Sequence, residues 1–136
     1  MLKAFLAVIL STCIVGCAGV KFTERNINIV MAKNVAKGAG PTGITDTFTF
    51  EGKIFAYATF KWGEVEKEGG HHKIEAKWYS GEKLVSAQER EVTFGRPPHY
   101  VWFSTRGTSL GAGKAKAEIY ADGLLVGSKN FEVVTK

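Results

Sequence analysis

GKAKAEIYADGLLVGSKNFEV, residues 113–133, is the stretch that decides the fold. From Lys114 to Tyr120 small or apolar residues alternate with charged ones. Ala115, Ala117 and Ile119 share one face, and Lys114, Lys116 and Glu118 share the other. This period of two marks a half-buried strand, because successive side chains of a strand point to opposite sides. Asp122-Gly123 follows, a dipeptide suited to a two-residue hairpin turn in which both central residues take positive φ. Leu124 to Val134 then reads as the returning strand.

The same pattern extends upstream. In His72–Tyr79, Ile74, Ala76 and Trp78 face inward while Lys73, Glu75 and Lys77 face outward. In the segment from Lys53 to Trp62, Ile54, Ala56, Ala58, Phe60 and Trp62 line one face. Asn26 to Met31 reads as a first strand, Phe48 to Phe50 as a short one before a turn at Glu51-Gly52, and residues 84–94 as a strand with weaker alternation. His99 to Ser104 is aromatic and β-rich. Pro97 and Pro98 cannot donate to a ladder, so the segment around Arg96 is a crossing or an edge. Residues 37–43 and 105–113 read as glycine-containing loops, and Glu64 to Gly70 as a polar connection. No segment sustains a helical period. The expectation is an all-β fold of about seven strands, with turns at the spacing of an antiparallel sandwich.

The order of these segments resembles an immunoglobulin-like domain. Trp78 lies mid-strand where such domains carry a core tryptophan, and residues 113–133 look like the final hairpin of many bacterial domains of this kind. The resemblance spans residues 26 to 134 and implies an immunoglobulin-like β-sandwich, with the domain at 26–136. One feature departs from antibody domains: no cysteine pair is available to bridge the sheets.

The N-terminus has a different composition. Met1-Leu2-Lys3 is a short basic start, and Ala4 to Val15 is almost wholly apolar. Such a run has the length of a signal-peptide core and is too short to cross a hydrocarbon layer of about 30 Å as a helix. Ile14-Val15-Gly16-Cys17 resembles the lipobox of bacterial lipoproteins. That resemblance implies removal of residues 1–16, attachment of diacylglycerol to Cys17, and a tether over residues 17–25. Ala18 after the cysteine resembles the type sorted to the outer membrane of a two-membrane cell. Each buried acyl CH₂ contributes about 0.8 kcal/mol, so one chain holds marginally whereas two or three hold stably. With Cys13 removed and Cys17 acylated, the mature chain would have neither a free thiol nor a disulfide, and its stability would come from its core alone.

Charge and composition narrow the function classes. The net charge of +5 is spread in alternating runs such as Glu64-Val65-Glu66-Lys67-Glu68, the pattern of solvated faces rather than of a nucleic-acid stripe. No Gly-x-Ser-x-Gly is present, and the mature serines lack a patterned histidine partner. The glycine-rich run Gly107 to Lys114 is followed by Ala115 and precedes a strand, so it is not a phosphate loop. His71 and His72, being adjacent, would point to opposite faces of a strand. They are read as part of a solvated turn, with no metal site and no cofactor. The remaining lead is aromatic. Alternation places Phe55 and Tyr57 opposite the inward face of their strand, and Tyr100 and Trp102 opposite Val101 and Phe103. Tyr57, Tyr100 and Trp102 are the candidate binding surface. The expectation is an envelope lipoprotein, membrane-bound through Cys17, that is not an enzyme and binds no nucleic acid. It would hold a protein partner through a sheet edge or end loops. The alternatives are a small-ligand or glycan binder and a structural envelope component.

Overall fold

In the computed structural model, which describes residues 19–135, the alternating segments pair into two sheets. The strands are β1 (Ile27–Ala36), β2 (Gly40–Ile44), β3 (Thr47–Thr49), β4 (Lys53–Phe60), β5 (Gly70–Ser80), β6 (Lys83–Phe94), β7 (His99–Arg106), β8 (Gly113–Ala121) and β9 (Leu124–Val134). Sheet A has the order β2-β1-β4-β7, and sheet B the order β3-β9-β8-β5-β6. The chain passes from β6 in sheet B to β7 in sheet A through Pro97-Pro98, so the proline segment is the crossing that its missing donors allow.

The inward faces are those the alternation assigned. Ile54, Ala56, Ala58 and Phe60 of β4 lie against Ile74, Ala76 and Trp78 of β5 and Ala117 and Ile119 of β8 in one core. Trp78 is fully buried and packs edge-on against Phe131 of β9. Its indole N–H donates to Gln88 Oε1 at 2.8 Å, and the Gln88 amide donates in turn to the Ser104 carbonyl of β7 at 2.9 Å. A chain of hydrogen bonds thus joins sheet B to sheet A on the side where β6 and β7 form the rims. Arg90 adds a second link, donating to the Trp102 carbonyl at 2.9 Å while its guanidinium lies over the Phe103 ring. Carbonyls on the open edge of β7 are therefore occupied by β6 side chains, which protects that edge from pairing with another chain.

Five expectations need correction. Among the described residues there are nine strands, not about seven. β2 occupies most of the stretch read as a loop: Gly38 and Gly40 take φ of 85° and 86° to turn the chain, and Pro41 is tolerated because β2 is an edge. β3 pairs in parallel with the end of β9, so sheet B is mixed rather than purely antiparallel. The expected tether at 17–25 is already part of the fold from Val20 onward. The Val20 N–H donates to the Gly69 carbonyl at 2.9 Å, and Phe22 is buried among Phe60, Trp62, His72 and Phe94. Thr23 and Asn26 then cap a 3₁₀ turn at Glu24–Asn26 that leads into β1. His71 and His72 lie on β5 instead of in a solvated turn, and His72 is buried. Cys17 and residues 1–16 lie outside the described residues.

Candidate functional site

The two outer faces differ in chemistry. On sheet B, charges of both signs alternate and pair: Lys73 with Glu89, His71 with Glu91, and Lys116 with Glu118. Tyr120 donates its hydroxyl to Glu118 at 2.7 Å. Burial pushes the Glu118 carboxyl up, but the hydrogen bonds from Tyr120, Lys116 and Tyr79 outweigh it and hold the group below its ordinary range. The same hydrogen bond to Glu118, helped by burial, pushes the Tyr120 hydroxyl up to about 12. This face is a solvated ionic lattice.

Sheet A instead presents an aromatic face. Tyr57 of β4 stands directly opposite Trp102 of β7, and Thr59 opposite Tyr100. The Trp102 carbonyl turns away from β4 to accept from Arg90, so Tyr57 and Trp102 form a non-hydrogen-bonded pair, the closer of the two cross-strand geometries. The Tyr57 ring lies 5.7 Å from that of Trp102 at 17°, and 5.6 Å from that of Tyr100 at 27°. The three candidate residues are thus brought together in one near-parallel cluster. Tyr57 is the buried member, 7% exposed, while Tyr100 is 45% exposed and Trp102 lies between. Burial, with Tyr100 alongside, raises the Tyr57 hydroxyl above its ordinary value and keeps it neutral.

A wall rises beside this cluster. The β1–β2 hairpin curls over the sheet, and a side chain at Gly40 would begin 3.8 Å from the Tyr57 hydroxyl. Between hairpin and aromatics lies an open groove of about 670 Å³, floored by Asn28, Val30, Tyr57 and Thr59 and walled by Pro41 and Ile44. Among the described residues, no Asp, Glu, Lys or Arg lines it. His99 sits at its lip with its ring edge-on to Phe94, and burial lowers its pKa, which favours the neutral imidazole. Of the floor, alternation in the sequence singles out only Tyr57, with Tyr100 and Trp102 beside it. The hairpin wall falls in residues 37–43, which read as a loop, although Gly-Pro after a glycine turn is a visible signal of an edge strand.

A second cluster lies at the end of the sandwich where β5 begins. His72 Nδ1 meets Asp122 Oδ2, its Nε2 meets the Gly69 carbonyl at 2.7 Å, and Asp122 Oδ1 accepts from the Lys73 backbone N–H at 3.0 Å. Asp122 has φ of 53°, and with Gly123 at 88° it makes the tight turn between β8 and β9. The cluster fixes that turn to β5. Among the described residues, no group of three or more His, Cys, Asp or Glu side chains is placed to hold a metal ion.

The strand orders β1-β4-β7 and β9-β8-β5-β6 follow the A-B-E and G-F-C-C′ arrangement, with Trp78 on the strand equivalent to C. Solved structures resemble the fold as a whole. An immunoglobulin-like protein of Pseudomonas aeruginosa superposes with a TM-score of 0.51 at 9% identity, over 78% of this chain and 91% of that one. The fold is an immunoglobulin-like β-sandwich. Parts of two larger proteins also superpose on this chain. One is an alkylpurine DNA glycosylase of Pseudomonas fluorescens bound to DNA containing an abasic-site analogue (TM-score 0.51, 10% identity, 80% of this chain and 30% of that one). The other is a β-glucosidase of Listeria innocua in complex with glucose (TM-score 0.50, 9% identity, 79% of this chain and 16% of that one). This chain spans under a third of the first and about a sixth of the second, and at such identities the likeness concerns fold alone. No family model and no curated protein matches the sequence. This immunoglobulin-like domain differs from antibody domains at its centre. The inward positions of β4 and β8, strands that a disulfide would link, hold Ala56, Ala58, Ala115 and Ala117, and aromatic packing around Trp78 fills the space.

Proposed function

We propose that this protein is a lipid-anchored, non-catalytic binding module of the bacterial cell envelope, holding an uncharged, extended segment of a partner protein in the groove on the outer face of sheet A. The observation that carries the reading is the uncharged groove beside Tyr57, Tyr100 and Trp102, set on an otherwise ionic molecule. Concave sites of several hundred Å³, lined by aromatic side chains and a few polar groups, are the usual form of a recognition site. Tyr and Trp supply large contact area at little entropic cost, which suits them to anchor a partner. The lipobox-like Ile14-Val15-Gly16-Cys17 supports attachment at the envelope, with acyl chains on Cys17 and outer-membrane sorting favoured by Ala18.

Two variants test the parts separately. Cys17→Ser releases the protein to the soluble fraction or leaves an unprocessed precursor, whereas wild type partitions with membranes and carries fatty acid. Tyr100→Ala combined with Trp102→Ala keeps the protein at the membrane but loses the partner recovered with wild type from detergent extracts. A wild-type protein that is soluble and free of fatty acid refutes the anchor. Recovery of the same partner by the double variant refutes the groove. The absence of charge in the lining, with Asn28 and Thr59 beside the rings, also suits a neutral glycan. Saturable quenching of tryptophan fluorescence by neutral oligosaccharides, lost in Trp102→Ala, would favour that occupant over a peptide.

A further inference from the structure

The described chain begins at one end of the sandwich, and that end has an unusual surface. Gly19 packs so closely on Gly69 and Gly70 that a side chain on it would meet the Gly69 carbonyl oxygen at 2.5 Å. From that contact a chain of hydrogen bonds runs to the β8–β9 turn. The Val20 N–H donates to Gly69 O, Gly69 O meets His72 Nε2, and His72 Nδ1 meets Asp122. The turn is thus one imidazole away from the point where the N-terminal segment leaves the domain. Immediately after it, Leu124 is 58% exposed and Leu125 44% exposed. Six large apolar side chains are exposed among the described residues. Two of them, Ile44 and Tyr100, line the groove. Leu124, Leu125 and Val65, the last in the β4–β5 connection, lie at the N-terminal end, and only Leu84 lies at the opposite end.

We infer that this end is a membrane-contact surface, with Leu124 and Leu125 seated in the interfacial layer of the bilayer that holds the acyl chains of Cys17. The inference rests on the proposed lipidation. Only Ala18 separates Cys17 from Gly19, and an extended chain spans at most about 7 Å over those two Cα–Cα steps. Since the Val20 N–H is bonded to Gly69 and Phe22 is buried, the described residues supply no flexible tether to lift the domain away from the surface. The anchor therefore brings the turn to the depth at which apolar side chains enter the boundary of headgroups and acyl chains, about 5–10 Å in. Lys21, Lys61 and Lys67 share this end with Glu64, Glu66 and Glu68, so the contact is apolar rather than a one-sign attraction to anionic lipid. The groove on sheet A then stands to the side, open to a partner in the aqueous space.

The mature lipidated chain has no free thiol, so a single introduced cysteine takes a nitroxide label uniquely. Leu124→Cys, Leu125→Cys and, as the control at the far end, Leu84→Cys are labelled on full-length lipidated protein. Each is reconstituted into vesicles of phosphatidylethanolamine and phosphatidylglycerol. The expected result is a several-fold higher ratio of oxygen to nickel-chelate accessibility at positions 124 and 125 than at 84, unchanged by high salt. Equal ratios at the three positions, in protein that stays on the vesicles and carries fatty acid, overturn the contact while leaving the anchor intact. Dipolar broadening between labels at 124 shows a second copy in place of lipid and overturns it too. Labelling of wild type at Cys17 shows a free thiol, and the anchor and this inference then fall together. The substituted leucines are exposed, and an unchanged circular dichroism spectrum confirms the fold of each variant.

Discussion

At the scale of single residues, two part-buried polar contacts have measurable consequences. Trp78 fills the centre of the core and also donates to Gln88, whose amide reaches across to β7. Trp78→Ala should cost about 3–5 kcal/mol, as for truncation of a large buried aromatic. Trp78→Phe keeps much of the bulk but leaves Gln88 Oε1 without its donor, which adds about 1–3 kcal/mol to the packing loss. Adding Gln88→Leu should recover part of the deficit, because the orphaned acceptor is then removed. Denaturant midpoints of the three variants check this, and a near-native midpoint for Trp78→Ala would contradict the buried position. The second contact gives a pH dependence. The Tyr120 hydroxyl, donating to Glu118, has its pKa raised from 10.0 to about 12 in the folded state. A raised folded value means that the protonated form is favoured by folding. The stabilisation is therefore complete below pH 10 and is lost as the pH rises through about 12. Absorbance titration at alkaline pH should show Tyr120 ionising well above the ordinary tyrosine value, and the late part of the titration should shrink by one tyrosine in Tyr120→Phe.

At the scale of elements, the β8–β9 hairpin shows what the sequence makes legible and why. Its strands alternate cleanly, and Asp-Gly encodes positive φ at both turn positions, which Asp122 and Gly123 adopt at 53° and 88°. A side chain at Gly123 would meet nothing within 4 Å, so Gly123→Val pays only the backbone strain of positive φ for a β-branched residue. The expected cost exceeds about 1 kcal/mol, with faster hydrogen exchange first at amides of residues 113–134. Unchanged exchange there would mean that the turn does not govern the hairpin. Asp122→Ala should cost more, because it removes acceptors from both His72 and the Lys73 N–H, whereas Asp122→Asn keeps an acceptor and tolerates the φ. This second role of Asp122 was not legible, since its partner is fifty residues away in sequence. β2 was obscure for a related reason: it is short, holds two glycines and a proline, and owes its existence to pairing with β1 rather than to any period of its own. The short strand β3 shows in the sequence at Phe48, but its parallel pairing with β9 is a long-range contact that no local pattern announces.

At the scale of the whole molecule, the sandwich and the aromatic cluster beside its groove were legible because burial on both inner faces enforces a period of two, leaving Tyr57, Tyr100 and Trp102 together on the other face of sheet A. The limit of the domain was not. Phe22 is a lone aromatic between polar residues, with no period to announce it, and only its surroundings show why it is inside. Phe60, Trp62 and Phe94 close around it edge-on, and the His72 ring lies 4.7 Å away. The end of the sandwich would be open without it. Phe22→Ala should therefore destabilise the whole domain by about 3–5 kcal/mol, the scale of an interior aromatic, although the residue precedes the first strand. Lys21→Ala, one residue earlier and exposed, should cost less than about 0.5 kcal/mol. If residues 17–25 were a passive tether, the two substitutions would be equally silent. Denaturation of the two variants beside wild type, followed by tryptophan fluorescence, separates the cases. Equal midpoints would place the start of the domain at β1, while a large loss confined to Phe22→Ala would make the N-terminal segment part of the core and leave little slack between the sandwich and Cys17.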